Sequence, residues 1–223
     1  MEQPPRKVRL STLIDAMGFI GIESYDLIIY LALTMQALNA SVLVIDNSDD
    51  GSFAECIPGL PETASCEPVD FHGITTVKDM YVLPDNYDYV IVYFGKNVTD
   101  LIGDLNEIYL VTDYQKHNVN FLKNIELFEG NYPLLLVRDR VASKVTPESI
   151  RLELEELEIP SESMVALEDS PTDLNLKVMC QYHSLTGMSK VSESVKEFLR
   201  LALSEDYEES AIKAAFKVAS RRK

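Results

Sequence analysis

Two glycines three residues apart stand directly before a long apolar run, in the segment formed by residues 17–24. Gly18 and Gly21 could let the backbone approach a phosphate, and the N–H groups at the start of a helix could then bind its oxygens. A lone G-x-x-G is also what a tight turn uses, so the spacing alone leaves both interpretations open. The G-x-G-x-x-G pattern of dinucleotide-binding proteins is absent, which argues against that class of site.

The other residues with reactive side chains are scattered along the chain. The three cysteines, Cys56, Cys66 and Cys180, form no C-x-x-C pair, so we expect reduced thiols, as in a cytosolic protein. The three histidines show no metal-ligand spacing, and we therefore expect no metal site. The first residues lack the pattern of a signal peptide, which also favours a cytoplasmic location.

Short β-rich runs alternate with helical stretches, and these elements must position any site. Several runs, such as residues 42–45 and 90–92, are continuously apolar, which is typical of strands buried on both faces of a parallel sheet. We predict strands at residues 8–14, 41–45, 89–94, 108–112, 134–138 and 164–167. We predict helices at residues 25–38, 115–128, 147–157 and 190–203, and an irregular surface excursion at 51–88. The alternation predicts an α/β fold: a three-layer domain with a mostly parallel sheet and helices on both faces.

The order of the segments resembles the MinD/ParA-like ATPases, SIMIBI-class P-loop proteins with a deviant Walker A motif. The family motif is K-G-G-x-G-K-T-T, and an apolar helix and a V-L-L-I-D strand follow it. Here an apolar helix and the run V-L-V-I-D at 42–46 follow residues 17–24 in the same order. The family's Y-D-Y-V-I-I-D matches Y-D-Y-V-I-V-Y at 87–93, and its A-D-E-V-L-I-V-T and V-V-L-N-R-V segments match residues 107–112 and 136–141. The resemblance covers residues 7–203 and implies a P-loop NTPase-like fold.

The departures from the family fall on residues that the resemblance assigns to nucleotide chemistry. Met17 and Ile22 stand in place of two lysines, Glu23 in place of the Mg²⁺-binding hydroxyl, and Tyr93 in place of the Walker B aspartate. Phosphoryl transfer needs positive charge and Mg²⁺ to neutralise the phosphates. The resemblance therefore implies a degenerate site with no catalytic residue and no cofactor. Its ten positions are Met17, Gly18, Phe19, Gly21, Ile22, Glu23, Ser24, Asp46, Tyr93 and Asp139.

Asp46 is the one acid that keeps its place in the family pattern. Asn47, Ser48, Asp49, Asp50 and Gly51 follow it, a run rich in turn-forming residues. We favour the interpretation that Asp46 caps this turn over a catalytic role.

Charge is distributed unevenly along the chain. The 223 residues hold 20 bases and 36 acids, a net charge of −16 that disfavours nucleic-acid binding. Residues 210–223 carry five bases and no acid, so residues 1–209 hold 15 bases and 36 acids, a net charge of −21. The interval 148–173 has nine acids and one base, which predicts a solvated face or, alternatively, a docking surface for a basic partner.

The basic C-terminal segment forms a predicted amphipathic helix, and we divide the chain into a domain at 1–205 and a helix or tail at 206–223. Such a helix could touch an anionic membrane or a partner through five side chains: Ile212, Lys213, Phe216, Lys217 and Arg221. Its apolar stripe is small, because two of four positions are alanine, so we favour a helix packed on the domain.

Together these patterns predict a MinD/ParA-like pseudo-ATPase that serves as a protein-interaction scaffold or localisation adaptor. The resemblance implies a cell-envelope machine such as a pilus, flagellum or division site, protein partners, and a homodimer. One alternative is a weak ATPase in which Lys96 supplies the missing charge. Another is a peripheral membrane adaptor that uses the C-terminal helix.

Overall fold

An eight-stranded sheet runs through the middle of the molecule, for which the computed structural model describes residues 15–139, 144–168, 170–185 and 187–221. Across the sheet the strands lie in the order β3-β4-β2-β5-β1-β6-β7-β8. Neighbours are parallel except β3 and β4, which form an antiparallel pair. The strands are β1 Asp15–Gly21, β2 Val42–Asp46, β3 Val69–Phe71, β4 Ile74–Lys78, β5 Tyr89–Gly95, β6 Glu107–Thr112, β7 Tyr132–Val137 and β8 Met164–Ala166.

Helices cover both faces of this sheet. Helices α1, α4, α5 and α6 pack on one face, while α2, α3 and the 3-10 segment Asp100–Asp104 pack on the other. The predicted three-layer α/β architecture is thus confirmed. The helices are α1 Tyr25–Ala37, α2 Lys116–Leu122, α3 Pro147–Glu153, α4 Pro171–Gln181, α5 Glu193–Leu203 and α6 Glu209–Ala219.

The first strand does not lie where the sequence pattern places it. The predicted strand at 8–14 lies outside the described residues, and β1 instead runs through the segment predicted to be a phosphate-binding turn. That turn prediction is wrong for residues 17–21: Met17, Gly18 and Phe19 pair with β5 on one side and β6 on the other, and Gly21 ends the strand opposite Val111 of β6. The physical reason is that this run supplies apolar groups to both layers: Phe19 faces the α1 side, and Ile20 faces the α2 side.

The other predicted strands are confirmed to within two residues, whereas helix ends move more. The second predicted helix ends at Leu122, and the fourth begins at Glu193 because the Ser192 side chain caps it by accepting a hydrogen bond from the Val195 N–H. The β3–β4 hairpin lies inside the predicted excursion, and α4 has no counterpart among the predictions. A reciprocal capping box between Ser170 and Asp173, with proline in the first turn, starts α4.

The basic C-terminal helix is part of the packed layer. In α6, Ile212, Ala215 and Ala219 are buried in the core on the α1 side of the sheet. The loop before α6 is tied to the sheet by the Tyr89 hydroxyl, which donates to the Asp206 carboxylate at 2.7 Å in a buried site. Nowhere in the described ranges is a helix both long enough and apolar enough to cross a bilayer.

Candidate functional site

A cleft of about 540 Å³ opens where the parallel strands reach their carboxyl ends. This edge is where ligands bind in open α/β sheets, because strand ends and helix starts meet there. The cleft lies beside the β1–α1 connection and the loop after β2. Its lining residues are Gly21, Ile22, Glu23, Asp49, Asp50, Lys96, Asp113, Asn118, Asp139 and Lys177.

Only three residues, Ile22, Glu23 and Ser24, connect β1 to α1. The connection stays close to β6, because the Ile22 N–H donates to the Val111 carbonyl at 3.0 Å. Gly21 has a φ of +124°, and a Cβ added there would lie 1.9 Å from the same carbonyl oxygen. The chain thus passes from strand to helix in a tight turn that holds its backbone against β6.

The start of α1 contains a buried ion pair. Arg138, which follows β7, donates from its two terminal nitrogens to the two Asp26 carboxylate oxygens at 2.7 and 2.9 Å. Both side chains are only 2% exposed. The guanidinium also donates to the Glu23 carbonyl at 3.1 Å, so it fastens the β1–α1 connection as well as the helix. Asp26 lies in the first turn, where the helix dipole favours a negative charge.

Asp46 is committed to the loop that follows β2. One carboxylate oxygen accepts from the Ser48 N–H and hydroxyl at 3.0 and 2.6 Å, and the other accepts from the Ala54 N–H at 2.7 Å. This geometry matches the capping interpretation of the sequence. Burial raises the pKa of the Asp46 carboxyl, and the hydrogen bonds from Ser48 and Ala54 oppose that shift.

Tyr93 fills the space next to this loop. Its ring is 1% exposed, and its hydroxyl lies 3.0 Å from the Ser52 hydroxyl. A Cβ built on Gly95 would lie 3.6 Å from the Tyr93 oxygen, so the two residues are packed closely. Burial raises the pKa of the Tyr93 phenol well above its usual range, which keeps it a neutral hydroxyl.

Two lysines reach the cleft from elements on either side. Lys96, just after β5, donates to the Asn118 side-chain oxygen at 2.9 Å, and Asn118 in turn donates to the Asp113 carboxylate at 2.9 Å. Lys177 on α4 lies 3.3 Å from a Glu23 carboxylate oxygen. Its ammonium also lies 5.5 Å from the centre of the Tyr25 ring. Each cation is therefore already held by groups of the chain itself.

The described lining of the cleft is acidic. Among the described residues, Glu23, Asp49, Asp50, Asp113 and Asp139 face two lysines, which leaves a net charge of −3. Carboxylates are hydrogen-bond acceptors, so the cleft suits donors and cations better than it suits anions. Within the described part of the chain, no three His, Cys, Asp or Glu side chains gather in a way that could hold a metal ion.

The structure brings together four of the ten positions predicted for the degenerate site: Gly21, Ile22, Glu23 and Asp139 all line the cleft. Ser24, Asp46 and Tyr93 are buried beside it, while Met17, Gly18 and Phe19 lie within β1. Sequence reasoning missed Asp26, Arg138 and Lys177. An arginine directly after an apolar strand and an aspartate in the first turn of an apolar helix were the available signals for the first two.

The five positions predicted for membrane or partner contact divide into two groups. Ile212 is 2% exposed and turned into the core, and Phe216 is half-buried against it. Lys213, Lys217 and Arg221 are exposed, and Lys213 pairs with Glu209 at 2.5 Å. The contact prediction is therefore wrong for Ile212, whose apolar side chain is used within the fold.

Comparison with protein-family models gives no match, and neither does comparison with curated protein sequences. Solved structures do match. A ParA family ATPase from Chlorobium tepidum TLS is 13% identical, with a TM-score of 0.63 over 86% of this chain and 99% of that one. The MinC:MinD cell division protein complex of Aquifex aeolicus is 10% identical, with a TM-score of 0.62 over 87% of this chain and 98% of the matched one. A plasmid partition protein from Borrelia burgdorferi B31, bound to AMPPNP, is 11% identical, with a TM-score of 0.54 over 92% of this chain and 99% of that one. The chain has the MinD/ParA-like P-loop NTPase fold.

Proposed function

We propose that this chain, whose fold is that of the MinD/ParA ATPases, is a pseudo-ATPase that acts as a protein-interaction scaffold or localisation adaptor. The observation that carries the proposal is the structure at the start of α1. Three residues stand in place of a glycine-rich loop, and the Arg138 cation is already paired with Asp26 in the first turn of the helix. A triphosphate needs a cradle of N–H groups and cations that are free to pair with it, and the residues here do not fit it.

Electrostatics support the same conclusion. The described lining residues of the cleft carry a net charge of −3 before any ligand arrives, and a nucleotide would add several negative charges. Repulsion acts strongly in a partly enclosed site, where screening by water and salt is reduced. A surface of this kind favours the cationic or hydrogen-bond-donating groups of a protein. The resemblance to MinD/ParA proteins adds a cell-envelope machine as the setting, and a homodimer as the assembly.

Calorimetry on the full chain tests the loss of nucleotide chemistry. We expect no heat beyond dilution when ATP is titrated in with Mg²⁺, and no phosphate release on long incubation. Micromolar, Mg²⁺-dependent binding of ATP would refute the pseudo-ATPase proposal.

The second candidate function is a nucleotide-binding protein with a non-standard site. Its support is specific: Lys96 and Lys177 both line the cleft beside Gly21. If ATP does bind, Lys96→Ala and Lys177→Ala should each abolish the heat. Lys190→Ala, at an exposed lysine outside the cleft lining, serves as the matched control and should leave it unchanged.

The scaffold role itself can be tested by site-specific photo-crosslinking in cells. A photoreactive side chain placed at Asp50, in the cleft, should give discrete higher-mass adducts. The same side chain at Leu152, an exposed residue on α3 away from the cleft, is the control. Equal labelling at both positions, or none at either, would count against a partner at the cleft.

A membrane role would have to rely on cations, because the apolar side of α6 already faces the core. We expect Lys217→Glu/Arg221→Glu to sediment with phosphatidylserine-containing vesicles to the same extent as the unaltered chain. A clear drop in the vesicle-bound fraction would favour the peripheral membrane adaptor instead.

A further inference from the structure

A second concave surface, here called the aromatic groove, lies at the opposite edge of the sheet from the cleft, where the strands begin. It encloses about 890 Å³. One wall is the connection between α2 and β7 together with the first two residues of β7, and the other is formed by Glu156, Leu157, Glu158 and Pro160 ahead of β8. It shares no described lining residue with the cleft, so it is a second site, distinct from the one on which the proposed function rests.

Two aromatic rings stand exposed in this groove. Phe128 is 48% exposed and Tyr132 is 72% exposed. The backbone that carries them is braced: the Asn131 side chain accepts from the Phe128 N–H at 2.8 Å and donates to the Leu105 carbonyl at 2.6 Å, and Tyr132 is the first residue of β7. Exposed rings on a fixed backbone are typical of contact surfaces, where aromatic residues are enriched.

The groove is also acidic. Among its described lining residues are Glu126, Glu129, Glu156 and Glu158, together with one cation, Lys123, whose ammonium lies 3.5 Å from the Glu153 carboxylate. Two of the four glutamates come from the acidic interval 148–173 of the sequence. Lysine and arginine side chains can pair with carboxylates and also stack on aromatic rings, so they suit both features of this surface.

We propose that the aromatic groove binds an extended segment of a partner protein that carries lysine or arginine beside apolar side chains. Charge complementarity selects this occupant. A second copy of this chain suits the groove less well, because its residues 1–209 carry a net charge of −21 and most of its basic segment, residues 210–223, is folded into α6 and is not extended. Phe128 and Tyr132 supply the apolar contact, and the four glutamates supply the orientation and the attraction.

Fluorescence anisotropy with three labelled 12-residue peptides tests the proposal. One alternates lysine and leucine pairs, one replaces the lysines by glutamine, and one replaces the leucines by serine. We expect the first peptide to bind the full chain at least about tenfold more tightly than the other two, since each lacks one kind of contact worth roughly 1.4 kcal/mol. Failure of the lysine–leucine peptide to bind would overturn the proposal.

Two pairs of variants separate the groove from general attraction to an acidic protein. Glu156→Gln/Glu158→Gln removes two groove charges, and Glu55→Gln/Glu62→Gln removes two exposed charges from the loop after β2. We expect a loss of about tenfold in the first and little change in the second. Equal losses in the two pairs would mean non-specific attraction and would overturn the proposal.

The aromatic contribution has its own control. Phe128→Ala/Tyr132→Ala should weaken the lysine–leucine peptide and leave the lysine–serine peptide unaffected. Tyr81→Ala, which removes an exposed ring outside the groove, should change neither. Unchanged binding of the lysine–leucine peptide by the double variant would remove the aromatic residues from the site and contradict the proposal.

Discussion

The Arg138 guanidinium and the Asp26 carboxylate meet through two hydrogen bonds at the point where α1 begins, and neither side chain reaches water. The pair joins the end of β7 to the start of α1, and a third bond to the Glu23 carbonyl extends the link to the connection before the helix. The positive charge of Arg138 is therefore neutralised within the fold and is not available to bind a ligand.

Arg138→Ala should destabilise the protein by about 3–5 kcal/mol, because it leaves the Asp26 carboxylate buried without its partner. The apolar pair Arg138→Met/Asp26→Leu should cost far less, since it removes both charges together. Urea unfolding followed by circular dichroism measures the two differences. A cost for Arg138→Ala no larger than that of the double variant would show that the pair does not stabilise the fold.

Gly21→Ala should be severely destabilising, by about 3 kcal/mol or more, because its Cβ would collide with the Val111 carbonyl and its φ is positive. Gly130 is the matched control: its φ is +98°, but a Cβ there would meet nothing within 4 Å. Gly130→Ala should therefore cost only backbone strain, about 1 kcal/mol at the low end of such effects. Equal shifts in the unfolding midpoint would contradict the tight strand-to-helix turn.

Ile212→Ala in α6 should reduce the free energy of unfolding by about 2–5 kcal/mol, because it opens a cavity in the layer that packs against α1. Val218 lies on the same helix but is 52% exposed, so Val218→Ala should stay within about 0.5 kcal/mol of the unaltered chain. Thermal or urea unfolding distinguishes the two. An unchanged free energy of unfolding in Ile212→Ala would mean that α6 does not pack into the core.

The thiols should react very differently. Cys66 is exposed, whereas burial raises the pKa of Cys180 to about 12 and also raises that of buried Cys56. A thiol reagent at pH 8 should therefore label one cysteine in the native chain and all three in denaturant, and Cys66→Ser should reduce the native value to none. Fast labelling of two or three thiols in the native chain would contradict this packing.

Because Cys180 is buried, the free energy of unfolding should fall as the pH becomes alkaline. The folded-state pKa of Cys180, about 12, lies above the reference value of 9.0, so between these values the native chain holds a proton that the unfolded chain loses. The contribution is fully present below pH 9 and is lost as the pH rises towards 12. Cys180→Ala should lower overall stability but make unfolding less dependent on pH in this window.

Much of the fold could be predicted from the sequence, because buried parallel strands such as β2 and β5 are written as continuous apolar runs. A different signal was misleading at β1. The glycine pair before a helix predicted a turn, but Met17 and Phe19 bury their side chains on the α1 side of the sheet, and the segment pairs with β5 and β6 as a strand. Tertiary packing determines that this segment is a strand, and the local sequence pattern does not report which other elements it will pack against.

The candidate site was predictable in part for a different reason. Gly21 ends β1, and Ile22 and Glu23 follow it, so their place at the carboxyl edge follows from topology. Lys177 and Arg138 arrive from distant elements, and their approach depends on how α4 and β7 pack around α1. Sequence spacing gives no distance between such elements. The position of Arg138 after an apolar strand could mark it as a candidate, but not show that it pairs with Asp26.

The two strands that border the described sheet, β3 and β8, are only three residues long. A short border strand offers few unpaired backbone groups, so another chain can hardly add itself to the sheet by hydrogen bonding. For a protein built on long, very apolar inner strands, this limits aggregation through open edges. It also means that any partner must recognise side chains on the helices, loops and clefts, and specificity will depend on the residues displayed there.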